Sequence, residues 1–206
     1  MVKSSKAWLR RHVTDSYVRQ ARAAGYRSRS AYKLLEIDRK DGILRPGMTV
    51  LDLGAAPGGW SQVAGRKAGA RGRVVAIDLL EIAPISGVTV LRGDVREPQA
   101  RAAARAALGR KADLVLSDLS PNLSGIPAVD QARAAELADL AVEFALQVLQ
   151  PSGVLLVKVF QGEAFEALLA RARRVFQTVL VRKPGASRGE SRETYLLGRG
   201  PKSALE

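Results

Sequence analysis

Cysteine is absent from this 206-residue sequence, and histidine occurs once, at position 12. No disulfide, thiolate metal site or cysteine nucleophile can therefore form, and a zinc or iron centre has too few of its usual ligands. Aromatic residues make up only 5%, so the core must be built from aliphatic side chains. No apolar run approaches the ~20 residues of a membrane span, and no secretory apolar segment follows the first residues. These absences predict a soluble protein with one α/β domain and short extensions.

Acidic side chains are also in deficit, 20 against 33 Lys and Arg, for a net charge of +13. The excess is segregated. Residues 1–33 carry nine basic side chains against Asp15 alone, and residues 182–202 carry six against Glu190 and Glu193. Evenly spread charge would serve solubility equally well. Two basic flanks on a near-neutral core instead point to a polyanion laid across one face, with nucleic acid the leading partner. The basic, serine-bearing start also raises an organellar transit segment, but Trp8, Tyr17, Tyr26 and Tyr32 favour a folded, contact-making arm over it.

Residues 3–12 are too polar to bury and read as an arm or frayed helix. Tyr17, Val18 and Ala21 recur at helical spacing from Asp15, a natural cap, to Ala24, and Gly25 ends that helix. Ser28 or Ser30 opens a second helix with the stripe Ala31, Leu34, Leu35, Ile37 and Asp38, and Lys33 lies off it. Strands and helices then alternate, the signature of a parallel sheet covered on both faces. The strands are expected at 48–53, 74–77, 88–91, 113–117, 154–160, 178–181 and 193–197, and the helices between them at 60–68, 98–108, 128–149 and 163–174. Pro151-Ser152-Gly153 reads as a turn before strand five, and the tail from Gly198 as disordered. No helix separates strands six and seven, so that last pair should run antiparallel. The expected division is a basic arm and helix over 1–28, a catalytic domain over 29–198 with a basic loop at 183–192, and a tail over 199–206.

The stretch Val50-Leu-Asp-Leu-Gly-Ala-Ala-Pro-Gly-Gly-Trp60 is a strand, a glycine turn and a helix start. Such a turn lets backbone approach a ligand, and free N–H groups at the helix start favour a polar or anionic group. The spacing departs from the dinucleotide pattern Gly-x-Gly-x-x-Gly, and the Gly-Lys-Ser/Thr of a phosphate loop is missing. An Asp-x-Gly turn followed by Pro-Gly-Gly looks like the S-adenosylmethionine loop of a class I methyltransferase. Ligands of such folds sit at the carboxyl ends of the parallel strands. Asp78, Asp94, Asp118 and Lys158 all fall there, and a reversed seventh strand brings Glu193 and the basic loop to the same edge.

Five spaced segments carry a closer resemblance: Ser30-Ala-Tyr-Lys-Leu-Leu-Glu36, Asp52 to Gln62, Ser117-Asp-Leu-Ser-Pro-Asn122, Val157-Lys-Val-Phe-Gln-Gly162 and Ser191-Arg-Glu-Thr-Tyr195. In these the chain resembles the FtsJ/RrmJ family of ribosomal RNA 2′-O-methyltransferases, in its compact bacterial form. The resemblance implies a class I, Rossmann-like S-adenosylmethionine-dependent methyltransferase: a seven-stranded, mostly parallel sheet with an antiparallel last strand and helices on both faces. It places the family's Lys-Asp-Lys-Glu tetrad on Lys33, Asp118, Lys158 and Glu193, with Leu119 and Ser120 as neighbours of no chemical consequence. For the cofactor, the backbone at Gly54, Gly58 and Trp60 would hold the methionine end, Asp78 the ribose hydroxyls and Asp94 the adenine amino group, with Asp118 touching the same ligand. The implied substrate is a uridine 2′-hydroxyl in the A-loop of 23S ribosomal RNA, in the large (50S) subunit during ribosome maturation. The enzyme would be monomeric and cytoplasmic, with no membrane partner.

The chemistry accounts for these residue types. A ribose hydroxyl is a poor acid, so transfer needs its oxygen oriented in line and its proton removed. Lys158 is assigned as base or orienting group, Asp118 as its partner, and Lys33 and Glu193 as substrate-positioning groups. Tyr17, Tyr26 or Trp8 could stack on an unpaired base. Two other enzymatic readings fit less well. A base N-methyltransferase carries an aromatic where this chain has Asp118-Leu-Ser-Pro121, and the related haemolysin-type ribose methyltransferases carry an additional RNA-binding domain. Pyrimidine-C5 methylation needs the missing cysteine. A ribosome-assembly factor that only binds RNA would not need the tetrad.

Overall fold

A computed structural model describes residues 15–187 and 191–202, so the arm expected over 3–12, Trp8, and Arg188 lie outside the described residues. Seven strands form one sheet: β1 Thr49–Leu53, β2 Arg73–Asp78, β3 Val88–Arg92, β4 Ala112–Ser117, β5 Leu149–Phe160, β6 Phe176–Arg182 and β7 Glu193–Pro201. Six helices among the described residues accompany it: α1 Ser16–Ala23, α2 Ala31–Asp41, α3 Gly59–Ala68, α4 Pro98–Leu108, α5 Pro127–Val148 and α6 Phe165–Val175. The strand order is β3-β2-β1-β4-β5-β7-β6. β7 runs antiparallel to both β5 and β6, and the other pairings are parallel. This is the expected α/β plan.

Alternation along the strands sorts the core into two layers. Val50, Val74, Leu114, Leu116, Val154, Leu156, Tyr195 and Leu197 face α2 and α3. Leu51, Leu53, Val75, Ile77, Val115, Leu155 and Leu196 face α4, α5 and α6. Burying each such Leu or Val contributes roughly 1.5–3 kcal/mol, and this aliphatic double layer stands in for the missing aromatics. No helix among the described residues is long and apolar enough to cross a membrane.

Local signals behave as their chemistry demands, with three exceptions. Asp15 caps α1 by accepting from the Tyr17 amide at 3.0 Å. Ser30, by contrast, occupies the start of α2 in a helical conformation without a side-chain cap, and its hydroxyl bonds that of Ser28. Second, the expected turn at 151–153 lies inside β5, because Leu149 already pairs with Ala112 and a shift of register between Ala112 and Leu114 absorbs the irregular residues. Third, the segment from Gly198 is ordered strand through Pro201, not disordered tail. Phe176 pairs opposite Pro201, and its ring lies where a side chain on Gly198 would project, 2.8 Å from that Cβ position. Strand pairing on a second neighbour held what composition alone marked as loose.

Candidate active site

β1 is central, with β2 and β3 on one side and β4 and β5 on the other. That makes its carboxyl end the topological switch point where open α/β sheets bind ligands. The pairing registers align Asp78, Gly54, Asp118, Lys158 and Tyr195 as successive positions across this edge. The tetrad converges here in two ion pairs. Lys158, 7% exposed, lies 3.1 Å from Asp118 Oδ1; it also donates to the Asp118 carbonyl at 2.8 Å and to Ser120 Oγ. Lys33, carried by α2, meets Glu193 Oε1 at 2.6 Å.

Tyr195 joins the two pairs. Its hydroxyl lies 3.0 Å from Glu193 Oε1 and 3.3 Å from Asp118 Oδ1, and the residue is fully buried. Burial, with the neighbouring Asp118 and Glu193 carboxylates, raises the phenol well above its ordinary range, so it stays a donor. Burial also works against ionisation of Glu193, but the charge and hydrogen bond of Lys33, with help from Lys158 and Ser187, hold its carboxyl below the usual value. Two lysine–carboxylate pairs thus meet at one buried phenol through their carboxylates. The motif around Tyr195 was visible in the sequence, but nothing there marked its hydroxyl as the bridge. Ser120, expected to be a chemical bystander, instead accepts a hydrogen bond from Lys158; its position two residues past Asp118 was the available signal.

The β1–β2–β3 side of the edge is built differently. Gly54 adopts φ 72°, and a Cβ there would sit 2.9 Å from the Leu119 backbone, so only glycine allows this turn to pack under the loop after β4. Gly58 precedes α3 with φ 110°. Asp78 accepts from the Ala56 and Leu80 amides at 2.9 and 2.8 Å, shaping the loop between those glycines. Asp94, at the end of the β3 turn, is held on both oxygens by Arg96 at 2.6–3.0 Å. That side-chain bond is the chief reason its carboxyl lies below the ordinary value. The Trp60 side chain is 2% exposed, donates to the Ser30 carbonyl at 2.8 Å and lies against Tyr195. That side chain is committed to the packing between α3 and β7.

One acid in this region was missed. Asp52 is fully buried; Ser61 donates to its Oδ2 at 2.6 Å, and its Oδ1 has no partner among the described residues. Burial pushes this carboxyl up to about 7 against the Ser61 bond, with Asp118 and Asp78 adding to the rise. Its place within an apolar strand read as part of the loop motif, and its isolation became visible only with the packing.

The basic flanks meet beside the tetrad. Glu36 of α2 accepts from the Tyr17 hydroxyl at 2.9 Å and from the Ala186 amide at 3.1 Å. Arg29 joins Asp15 and the Ala186 carbonyl. Arg27 reaches the carbonyls of Pro57, Ala83 and Pro84 at 2.6–3.3 Å, tying the segment before α2 to the loops that follow β1 and β2. Not every basic residue is free for a partner. Arg182 grips Asp41 with two bonds of 2.6 and 2.7 Å, and Lys183 binds the Ser191 and Glu193 carbonyls, whereas Arg192 is exposed.

Known proteins resemble this chain in sequence and in fold. The profile of the FtsJ-like methyltransferases matches residues 26–201. A protein of Nitrosospira multiformis named ribosomal RNA large subunit methyltransferase E is 54% identical over 96% of this chain and 97% of its own. The protein of the same name from Thiobacillus denitrificans is 55% identical over 97% and 91%. A crystal structure from Plasmodium falciparum, described as a ribosomal RNA methyltransferase, superposes with a TM-score of 0.76 at 29% identity over 85% of this chain and 98% of that one. A match over residues 26–201 and 54% identity across nearly the whole of both chains show that this chain belongs to the FtsJ-like methyltransferase family.

Proposed function

We propose that this enzyme transfers a methyl group from S-adenosylmethionine to the ribose 2′-hydroxyl of a uridine in the A-loop of 23S ribosomal RNA, as a cytoplasmic monomer acting on the large subunit. The observation that carries the reading is the buried Lys158, held by Asp118 at 3.1 Å and joined through Tyr195 to Lys33–Glu193. The names of the large-subunit methyltransferase relatives support the substrate class.

The residues of the cofactor side fit the donor on structural grounds. Gly54 and Gly58 bring backbone to the strand edge where a side chain would collide, and the buried Asp52 and the neighbouring Asp78 and Asp118 make that edge receptive to a cation. The Gly54–Trp60 backbone would hold the methionine end, Asp78 the ribose, and Asp94 the adenine once Arg96 yields a bond. The donor supplies an electrophilic methyl on a sulfonium. Lys158, fixed in place by Asp118, orients the 2′-oxygen as the ammonium or, as the neutral amine, receives its proton. Lys33 and Glu193 position the ribose beside it. The exposed Arg192, with the basic flank before α2, would hold phosphates.

The test is methyl transfer from labelled S-adenosylmethionine to large subunits from cells lacking the protein, with the modified nucleoside identified by mass spectrometry. The expected product is 2′-O-methyluridine. A methylated base, or no transfer while RNA binding persists, overturns the reading.

A further inference from the structure

Asp52 does not belong to the tetrad, yet it is the acid most deeply placed beneath it. Its Cα pairs with Ala76 on β2 and Leu116 on β4, and alternation puts it on the face toward Gly54, Asp78 and Asp118, each two residues further on, at or just past the end of its strand. A ligand extended from Asp78 to Lys158 must cross the Gly54 turn, and Asp52 lies under that turn. One carboxyl oxygen is held by Ser61 at 2.6 Å from α3. The other is buried and without a partner among the described residues, which is costly for a polar atom unless something charged compensates it.

We propose that Asp52 is a proton-linked counter-charge that discriminates the sulfonium donor from its thioether product. It stands as the carboxylate while the donor is bound, and takes one proton from solvent when the neutral product occupies the site. The inference rests on the donor assigned above. The charged groups around Asp52 fit this role. Asp78 from β2 and Asp118 from β4 oppose a third negative charge in the free protein. Lys158 from β5 is already satisfied by Asp118 and Ser120, and Lys33 from α2 by Glu193. Tyr195 from β7 is held neutral, and α3 contributes only the Ser61 hydroxyl. A cation entering between Asp78 and Lys158 is therefore the missing partner, and it is lost when the sulfonium becomes a thioether.

The sign of the linkage is fixed by the raised carboxyl, at about 7 in the free protein. Below that value the donor must expel a proton to bind; above it none is expelled. Calorimetric titration of the full chain with S-adenosylmethionine, and separately with S-adenosylhomocysteine, should show donor affinity falling about tenfold from roughly pH 8 to roughly pH 6 through this group. The product should show no such fall. Near pH 7, titration in buffers of different ionisation enthalpy should show about half a proton released by the donor alone. The ligand's own α-amino group, with a reference pKa of about 7.7–8.0, titrates close by, so the reading is the difference between wild type and Asp52→Asn, in which the linkage should vanish and the preference for donor over product at roughly pH 8 should fall severalfold.

Ser61→Ala provides the second variant: loss of the one bond that favours the carboxylate should move the affinity midpoint to higher pH. Equal proton release for wild type and Asp52→Asn, or a pH-independent donor affinity with transfer intact, overturns the proposal and leaves the methyltransferase reading standing. Failure of the donor to bind at all overturns both.

Discussion

The two halves of the site edge are organised by different means. On the β4–β5–β7 side, charged side chains from α2, β5, β7 and the end of β4 hold one another, and a buried phenol ties the pairs together. On the β2–β3 side, backbone amides shape Asp78, and a single exposed arginine occupies Asp94. The first half is a closed electrostatic network that needs no ligand to complete it; the second is a cradle whose polar groups can exchange partners. Such a division suits a transfer reaction. The group that orients the acceptor must be held rigidly at the moment of attack, whereas the donor must be loaded and discharged at every turnover.

The largest expected effect comes from breaking the closed half at its centre. Lys158→Ala should lower kcat by roughly 10²–10⁴-fold, the range for loss of a positioned acid–base group, while leaving donor affinity by calorimetry and RNA binding by filter retention within a few-fold. Retained transfer would remove Lys158 from the mechanism. Tyr195→Phe should cost less, because the ring keeps its contact with Trp60 and each carboxylate keeps its lysine. An about tenfold fall in kcat, equivalent to roughly 1.4 kcal/mol, is expected with little change in KM for the donor. A rise in that KM with kcat unchanged would move Tyr195 from the acceptor half to the donor half.

The same contrast explains what the sequence reveals. The Gly54 turn, the acids at strand ends and the reversed last strand are local or periodic features, so the fold and the tetrad's convergence could be read before any coordinates. Tyr195, Ser120 and Asp52 could not be, because their roles depend on what packs around them. Tyr195 occupies a core position by alternation, and only the meeting of β7 with the end of β4 turns its hydroxyl into a bridge. Ser120 lies in a loop whose path has no periodic signal. Asp52 sits in a strand whose neighbours are apolar, and its unpartnered oxygen is a property of the whole packing arrangement. Gly198–Pro201 was misread for a related reason: glycine and proline report local propensity, whereas pairing to β6 is a tertiary gain.

The basic flanks carry the contrast outward, and here the expected effects are smallest but separable. Arg182 and Arg192 lie on either side of the same loop, and composition treats them alike. Arg182 is committed to Asp41, whose carboxyl it draws below the ordinary value by direct hydrogen bonding against the cost of burial, with Arg199 assisting. Arg182→Ala should therefore destabilise the fold by on the order of 2 kcal/mol, less than the ~3–5 for breaking a fully buried pair. The pair's contribution is present above the ordinary carboxylate range and lost as the pH falls toward the lowered value, so the variant should lose less stability than wild type on acidification. Its RNA affinity, measured while folded, should keep the wild-type salt dependence. Arg192→Ala should do the reverse, leaving thermal stability within about 0.5 kcal/mol, as for most surface changes, while reducing the slope of log affinity against log salt by somewhat under one, the contribution of a single phosphate contact. If Arg182→Ala flattens the salt slope and Arg192→Ala does not, the loop presents the opposite face to RNA and the ion pair with Asp41 opens on binding.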